Sequence, residues 1–176
     1  MAEVSPSHAQ CFDQEVGFGS ALRLGARNGI RSQHSSHSFA RNNDQVSNLD
    51  LVALIVADYD EAIMFFVNVL DFDLVEDEAS LTNDGRAKRW VVVRPKGGGS
   101  GLLLAQADGD HQREAIGSQF AGRVGLFLRV DDFEQIYERL KASGVEFVSE
   151  PRSEPYGKVA VFLDLAGNKW DLLSQT

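Results

Sequence analysis

Few side chains in this sequence could carry chemistry, and most of those sit away from any packed element. There are four histidines and one cysteine. His8, His34, His37 and Cys11 fall in a polar N-terminal stretch, and His111 falls in a polar connection. His34 and His37 lie in the run SQHSSHS, which reads as polar filler rather than a metal tract. A lone Cys11 has no intrachain partner, so disulfides do not hold the fold. The run Gly97-Gly98-Gly99-Ser100 has the look of a phosphate loop but lacks the Lys-Ser/Thr ending, and no helix follows it. It reads as a hairpin connection. The sharpest anomaly is Asp171, a carboxylate in the apolar strand that ends at Leu173. An acid among aliphatic side chains must be hydrogen-bonded, paired or protonated, and Arg129 and Arg94 are its candidate partners. Arg129 has a planar fork suited to an anionic ligand group, or it reaches solvent from a strand end. Trp90 and Phe127 are strand aromatics that either wall a small-molecule site or pack as plain core. Tyr156 sits in the turn Glu154-Pro155-Tyr156-Gly157. Asp164 and Asn168 flank Ala166-Gly167, where backbone hydrogen bonding in a turn is the expected role.

The elements that must position these residues occur twice. Leu51 to Val56 is a continuous apolar, β-branched run and reads as a strand covered on both faces. Asp58 with Glu61 three residues on has the form of a capping box. A helix is expected from about Tyr59 to Val69, with Ala62, Phe65, Phe66 and Val69 on one face. Strands follow at Phe72 to Val75, Trp90 to Arg94 and Leu102 to Gln106, with a turn at Asn83-Asp84-Gly85. Residues 107–122 form a polar connection, helical in part around Gln112 to Ile116. A second apolar strand then ends at Asp131-Asp132, and a helix carrying Ile136, Tyr137 and Leu140 runs to Ser143-Gly144. A short strand at Val145-Glu146-Phe147, a Pro-bounded loop, a strand from Lys158 to Leu163 and a last strand to Leu173 complete it. The two βαβββ units lie roughly 70–75 residues apart and number only two, which fits a duplicated module rather than a repeat array. The fold class is α+β, with modules at about 49–107 and 122–175.

Composition bounds the function. A chain of 176 residues with 43% apolar content can bury one core. A net charge of −9 argues against a nucleic-acid surface. No run approaches the ~18 apolar residues of a membrane helix, and no secretory h-region is evident, so the cytoplasm is the expected compartment. Residues 1–48 are rich in Ser, Gly, Asn, Arg and His without apolar period. They read as a flexible N-terminal extension, with a short helix near Gly19 to Arg27, ahead of one domain at 49–176.

Three segments carry a family resemblance: Val52 to Ala62 (VALIVADYDEA), Leu70-Asp71-Phe72, and Phe162 to Leu172 (FLDLAGNKWDL). They resemble the vicinal oxygen chelate superfamily, which includes glyoxalase I, extradiol dioxygenases and the fosfomycin and bleomycin resistance proteins. The resemblance covers about Leu51 to Ser174. It implies that the curled sheets of two modules form a cup for a small molecule, with helices on the outer faces. Strand parity then puts Leu51, Ala53, Ile55, Gly125, Phe127, Arg129 and Asp171 on the cup side and Trp170 and Leu172 under the helices. Tyr156 would overhang the cup. Metal-using members carry His or Gln on each first strand and Glu on each last strand. Here those positions hold Leu51, Gly125, Leu103 or a neighbour, and Asp171, so only one donor remains. A single carboxylate does not hold a catalytic metal, and no cofactor is expected. His111, Glu114 or Gln119 could still supply donors from the connection. The resemblance therefore implies a binding protein for an apolar or aromatic compound, with Leu51, Trp90, Phe127, Arg129, Tyr156 and Asp171 as its contacts and a homodimer as its assembly. Its alternatives are a metal-independent or unusual-metal lyase or isomerase with Asp171 as acid/base, and a scaffold with no small-molecule role.

Overall fold

The computed structural model describes residues 47–175. The readings placed on Cys11, on His8, His34 and His37, and on a helix at 19–27 lie outside those residues. The chain divides between Asn48 and Leu49 into two units, and every described helix and strand belongs to the second.

The first module comprises β1 (Leu51–Val56), α1 (Tyr59–Met64), β2 (Phe72–Leu81), β3 (Ala87–Pro95) and β4 (Gly101–Gln106). The second comprises β5 (Val124–Val130), α3 (Phe133–Ala142), β6 (Arg152–Glu154), β7 (Gly157–Leu163) and β8 (Lys169–Ser174), and α2 (Asp110–Ala115) lies in the connection. Both helices start the same way. The Asp58 carboxylate accepts the Asp60 and Glu61 backbone N–H groups, and Asp132 accepts that of Gln135. Each satisfies donors that have no partner within the helix. After Met64 the first helix does not continue as α-helix, as its periodicity predicts, but widens to a π turn over Phe65–Val69. There the Leu70 N–H reaches back to Phe65. The wider turn lets Phe66 be fully buried while its neighbour Phe65 stacks edge-on against it at 5.4 Å. The second helix ends cleanly. Gly144 has φ +81, and the Gly144 and Val145 N–H groups bond back to Lys141 and Leu140.

Each module folds into a four-stranded sheet, ordered β1-β4-β3-β2 and β5-β8-β7-β6. First and last strands pair in parallel, β1 with β4 and β5 with β8. The remaining neighbours pair antiparallel. Val145-Glu146-Phe147 is not a strand; only Phe147 forms an isolated bridge, to Phe162. The strand lies further on, at Arg152–Glu154, in the segment read as a loop. Pro151 and Pro155 give the segment the look of a loop, but both lie just outside the three residues that pair with β7, so neither removes a donor from the ladder.

One core serves both modules. Val52, Leu54, Val56, Val91, Val93, Leu102 and Leu104 from the first sheet share it with Leu126, Leu128, Phe162, Trp170 and Leu172 from the second. The Phe66 ring sits 6.0 Å from Trp170 and so joins the modules. These positions alternate along every strand, so each sheet gives one face to the core and leaves the other outside it. Asp164 locks the last strand in place. Although only 5% exposed, it accepts the Ala166 and Asn168 backbone N–H groups at 2.9 Å, the Asn168 amide at 3.0 Å and the Trp170 indole at 3.1 Å. The turn role expected of Asp164 and Asn168 is present, and the indole bond adds a link to the core. No helix among the described residues is long and apolar enough to cross a membrane. We expect Asp164→Ala to destabilise the fold by about 3 kcal/mol in urea unfolding, because it strands several buried donors at once, with Trp170→Phe costing about 1 kcal/mol. A loss below about 0.5 kcal/mol for Asp164→Ala would contradict this role.

Candidate functional site

The face of each sheet left outside the core is where chemistry could occur. On the first sheet it carries Leu51, Ala53, Ile55, Leu103, Trp90, Glu76 and Glu78, as the pairings Ala53↔Leu103, Val92↔Leu103 and Glu78↔Trp90 require. On the second it carries Phe127, Asp171 and Val161 as one cross-strand row, since Phe127 and Val161 both pair with Asp171. Arg129, Leu173 and Val159 form the next row, in which Val159 and Leu173 are buried, and Arg152 on β6 adds to it. Phe127 is 63% exposed, an unusual state for a large aromatic ring on a sheet.

Asp171 is held in an unbalanced setting. Its Oδ1 is buried and has no hydrogen-bond partner. Burial pushes its carboxyl above the usual carboxylate range, and the Arg152 guanidinium partly offsets that rise. The expected salt bridge to Arg129 or Arg94 does not form. Arg129 gives Nη1 to the Ser174 carbonyl at 2.6 Å, and Arg94 binds Asp50 at 2.9 Å and the Gly99 carbonyl at 2.6 Å. Arg152, the cation that acts on Asp171, is itself paired with Glu154 at 2.9 Å. Pro151 and Pro155 give the strand of Arg152 the look of a loop, so the sequence does not place Arg152 on this face.

The six predicted contact residues are divided between the two sheets and the β6–β7 hairpin. Phe127, Arg129 and Asp171 lie together on the open face of the second sheet, while Leu51 and Trp90 lie on that of the first. Tyr156 occupies the tip of the β6–β7 hairpin, 47% exposed, on the side of Arg152. Two clefts, of about 450 and 520 Å³, lie elsewhere. The first runs between Phe65 and Val69 of the π turn and the β7–β8 turn; the second lies beside Asp131, Glu134 and Lys158. Neither includes Phe127 or Asp171.

The positions where a metal donor could enter are occupied by other things. A Cβ at Gly125 would lie 2.1 Å from the Phe120 ring, so that ring fills the space a side chain there would need. The Gln119 amide is committed to the outer edge of β1, accepting the Ile55 N–H at 2.9 Å and donating to the Ala53 carbonyl at 2.8 Å. That use closes an otherwise unpaired stretch of edge strand. His111 and Glu114 are exposed on α2. Among the described residues, no three His, Cys, Asp or Glu side chains converge to hold a metal ion.

Residues 48–172 match the Glyoxalase/Bleomycin resistance protein/Dioxygenase superfamily. An uncharacterized protein from Shewanella frigidimarina is 54% identical over 123 residues, covering 69% of this chain and 89% of that one. Among solved structures, UcmS2 is similar at 29% identity with a TM-score of 0.61, covering 73% of this chain and 98% of its own. TnmS3, described as an antibiotic binding protein from Streptomyces sp. CB03234, is similar at 30% identity with a TM-score of 0.58, covering 74% of this chain and 98% of its own. The duplicated βαβββ topology and the match over nearly all of the described chain lead to one conclusion: this protein belongs to the glyoxalase/bleomycin resistance protein/dioxygenase superfamily.

Proposed function

We propose that this protein binds an apolar or aromatic small molecule against the open face of its second sheet, without using a metal. The observation that carries the reading is the row Phe127–Asp171–Val161, in which a 63% exposed aromatic ring stands beside a half-buried acid. An exposed ring next to a few polar groups is the usual make-up of a small-molecule contact surface. The similarity to TnmS3, whose description is that of an antibiotic binding protein, supports the same reading.

We also propose that a second copy of the chain covers these faces. The open face of the first sheet carries Glu76 and Glu78, and that of the second carries Arg129 and Arg152. The first face also carries Lys88 and Arg94 and the second Asp171 and Glu154, so both are of mixed charge, and a two-fold pairing would cover both faces of both chains. Light scattering should give a mass near twice 19.3 kDa; a mass of 19.3 kDa across the micromolar range would contradict the pairing.

The binding reading is tested by thermal-shift screening of neutral aromatic compounds, since a ligand that binds only the folded chain raises the melting temperature with its concentration. Because Phe127 is 63% exposed within one chain, Phe127→Ala should leave the protein folded by circular dichroism and remove most of the ligand-induced rise in melting temperature. Ligand-induced shifts that survive this substitution unchanged would place the binding surface elsewhere.

A further inference from the structure

The setting of Asp171 narrows the class of ligand. No protein donor reaches its carboxylate: Arg129 is turned to Ser174, Arg152 to Glu154, and Lys169 donates to the Gly122 carbonyl at 3.0 Å. Oδ1 is sealed from solvent without a partner, which leaves Oδ2 as the oxygen open to the face. A carboxylate stripped of half its hydration is a strong acceptor for any donor that approaches its remaining oxygen. The Phe127 ring stands in the same cross-strand row, on the neighbouring strand, so a flat molecule lying on that ring has its edge at Asp171. Arg129, Arg152 and Lys169 share this face. Against these three cations the face sets two acids, Asp171 and the Glu154 paired with Arg152, so its balance is positive and disfavours a positively charged ligand, although the chain as a whole carries −9.

Resting on the binding reading above, we propose that the ligand is a planar aromatic compound bearing a neutral O–H or N–H donor, with its ring against Phe127 and its donor on the open oxygen of Asp171. Burial, which raises the Asp171 carboxyl pKa, is the same loss of hydration seen from the proton's side.

The test is calorimetric titration of the full chain with 6-hydroxyquinoline, 6-methoxyquinoline and 6-hydroxy-1-methylquinolinium. The hydroxy compound is expected to bind about 5- to 100-fold more tightly than the methoxy compound, which cannot donate. The quinolinium should bind more weakly than neutral 6-hydroxyquinoline. In Asp171→Ala the preference for hydroxy over methoxy should fall to within about twofold, while Phe127→Ala should weaken both. Equal affinity of the hydroxy and methoxy compounds in the unaltered protein overturns the donor assignment and leaves the aromatic-binding reading standing. Tighter binding of the quinolinium overturns the neutral class. Absence of binding by all three overturns both proposals. The comparison of probes in the unaltered chain holds whether or not a variant folds.

Discussion

The hold of Asp164 on the β7–β8 turn is the constraint on which the second module depends. A buried carboxylate gathers the turn's backbone donors, the Asn168 amide and the Trp170 indole at distances of 2.9 to 3.1 Å. Fixing Trp170 places its ring against Phe66 of the other module and against Phe162. Because side chains alternate along β8, fixing Trp170 inward also fixes Asp171 outward. The acid at the candidate site is therefore aimed by a turn and an indole on the opposite side of the sheet. A one-residue slip of β8 would bury Asp171 in the core and expose Trp170, at a cost no ordinary domain tolerates.

The same constraint separates two acids that look alike in the sequence. Asp164 is surrounded by donors, and Asp171 by none. One organises structure, and the other is left with an unsatisfied oxygen. Unsatisfied buried polar atoms are rare in folded proteins and call for an explanation, which the proposed ligand would supply.

Much of the architecture was legible in the residues. The cap Asp58, the alternation along β1 and β8 and the duplicated order of elements all follow from local chemistry with periods of 2 and 3.6. What was not legible depends on contacts between distant residues. The π turn at Phe65–Val69 goes with the packing of Phe66 on Trp170, which no local pattern encodes. The strand Arg152–Glu154 was hidden because Pro151 and Pro155 punctuate it, and with it the cation beside Asp171 was missed. The pairing partners assigned to Asp171 failed for a related reason. Arg94 and Arg129 are near in pattern, yet each finds a closer acceptor, Asp50 and the Ser174 carbonyl. Gln119, a candidate donor for a metal, instead closes the edge of β1, a role visible only once the sheet order is known.

The central claim is that the open face bearing Phe127, Val161 and Asp171 is the binding surface. Amide chemical shifts of the isotopically labelled chain, followed while 6-hydroxyquinoline is added, test it most directly. The account predicts saturable shifts centred on Phe127, Val161 and Asp171, falling off toward the core-facing Leu172. Shifts centred instead on the cleft beside Phe65, Val69 and Gly144, with β5 and β8 silent, would contradict it.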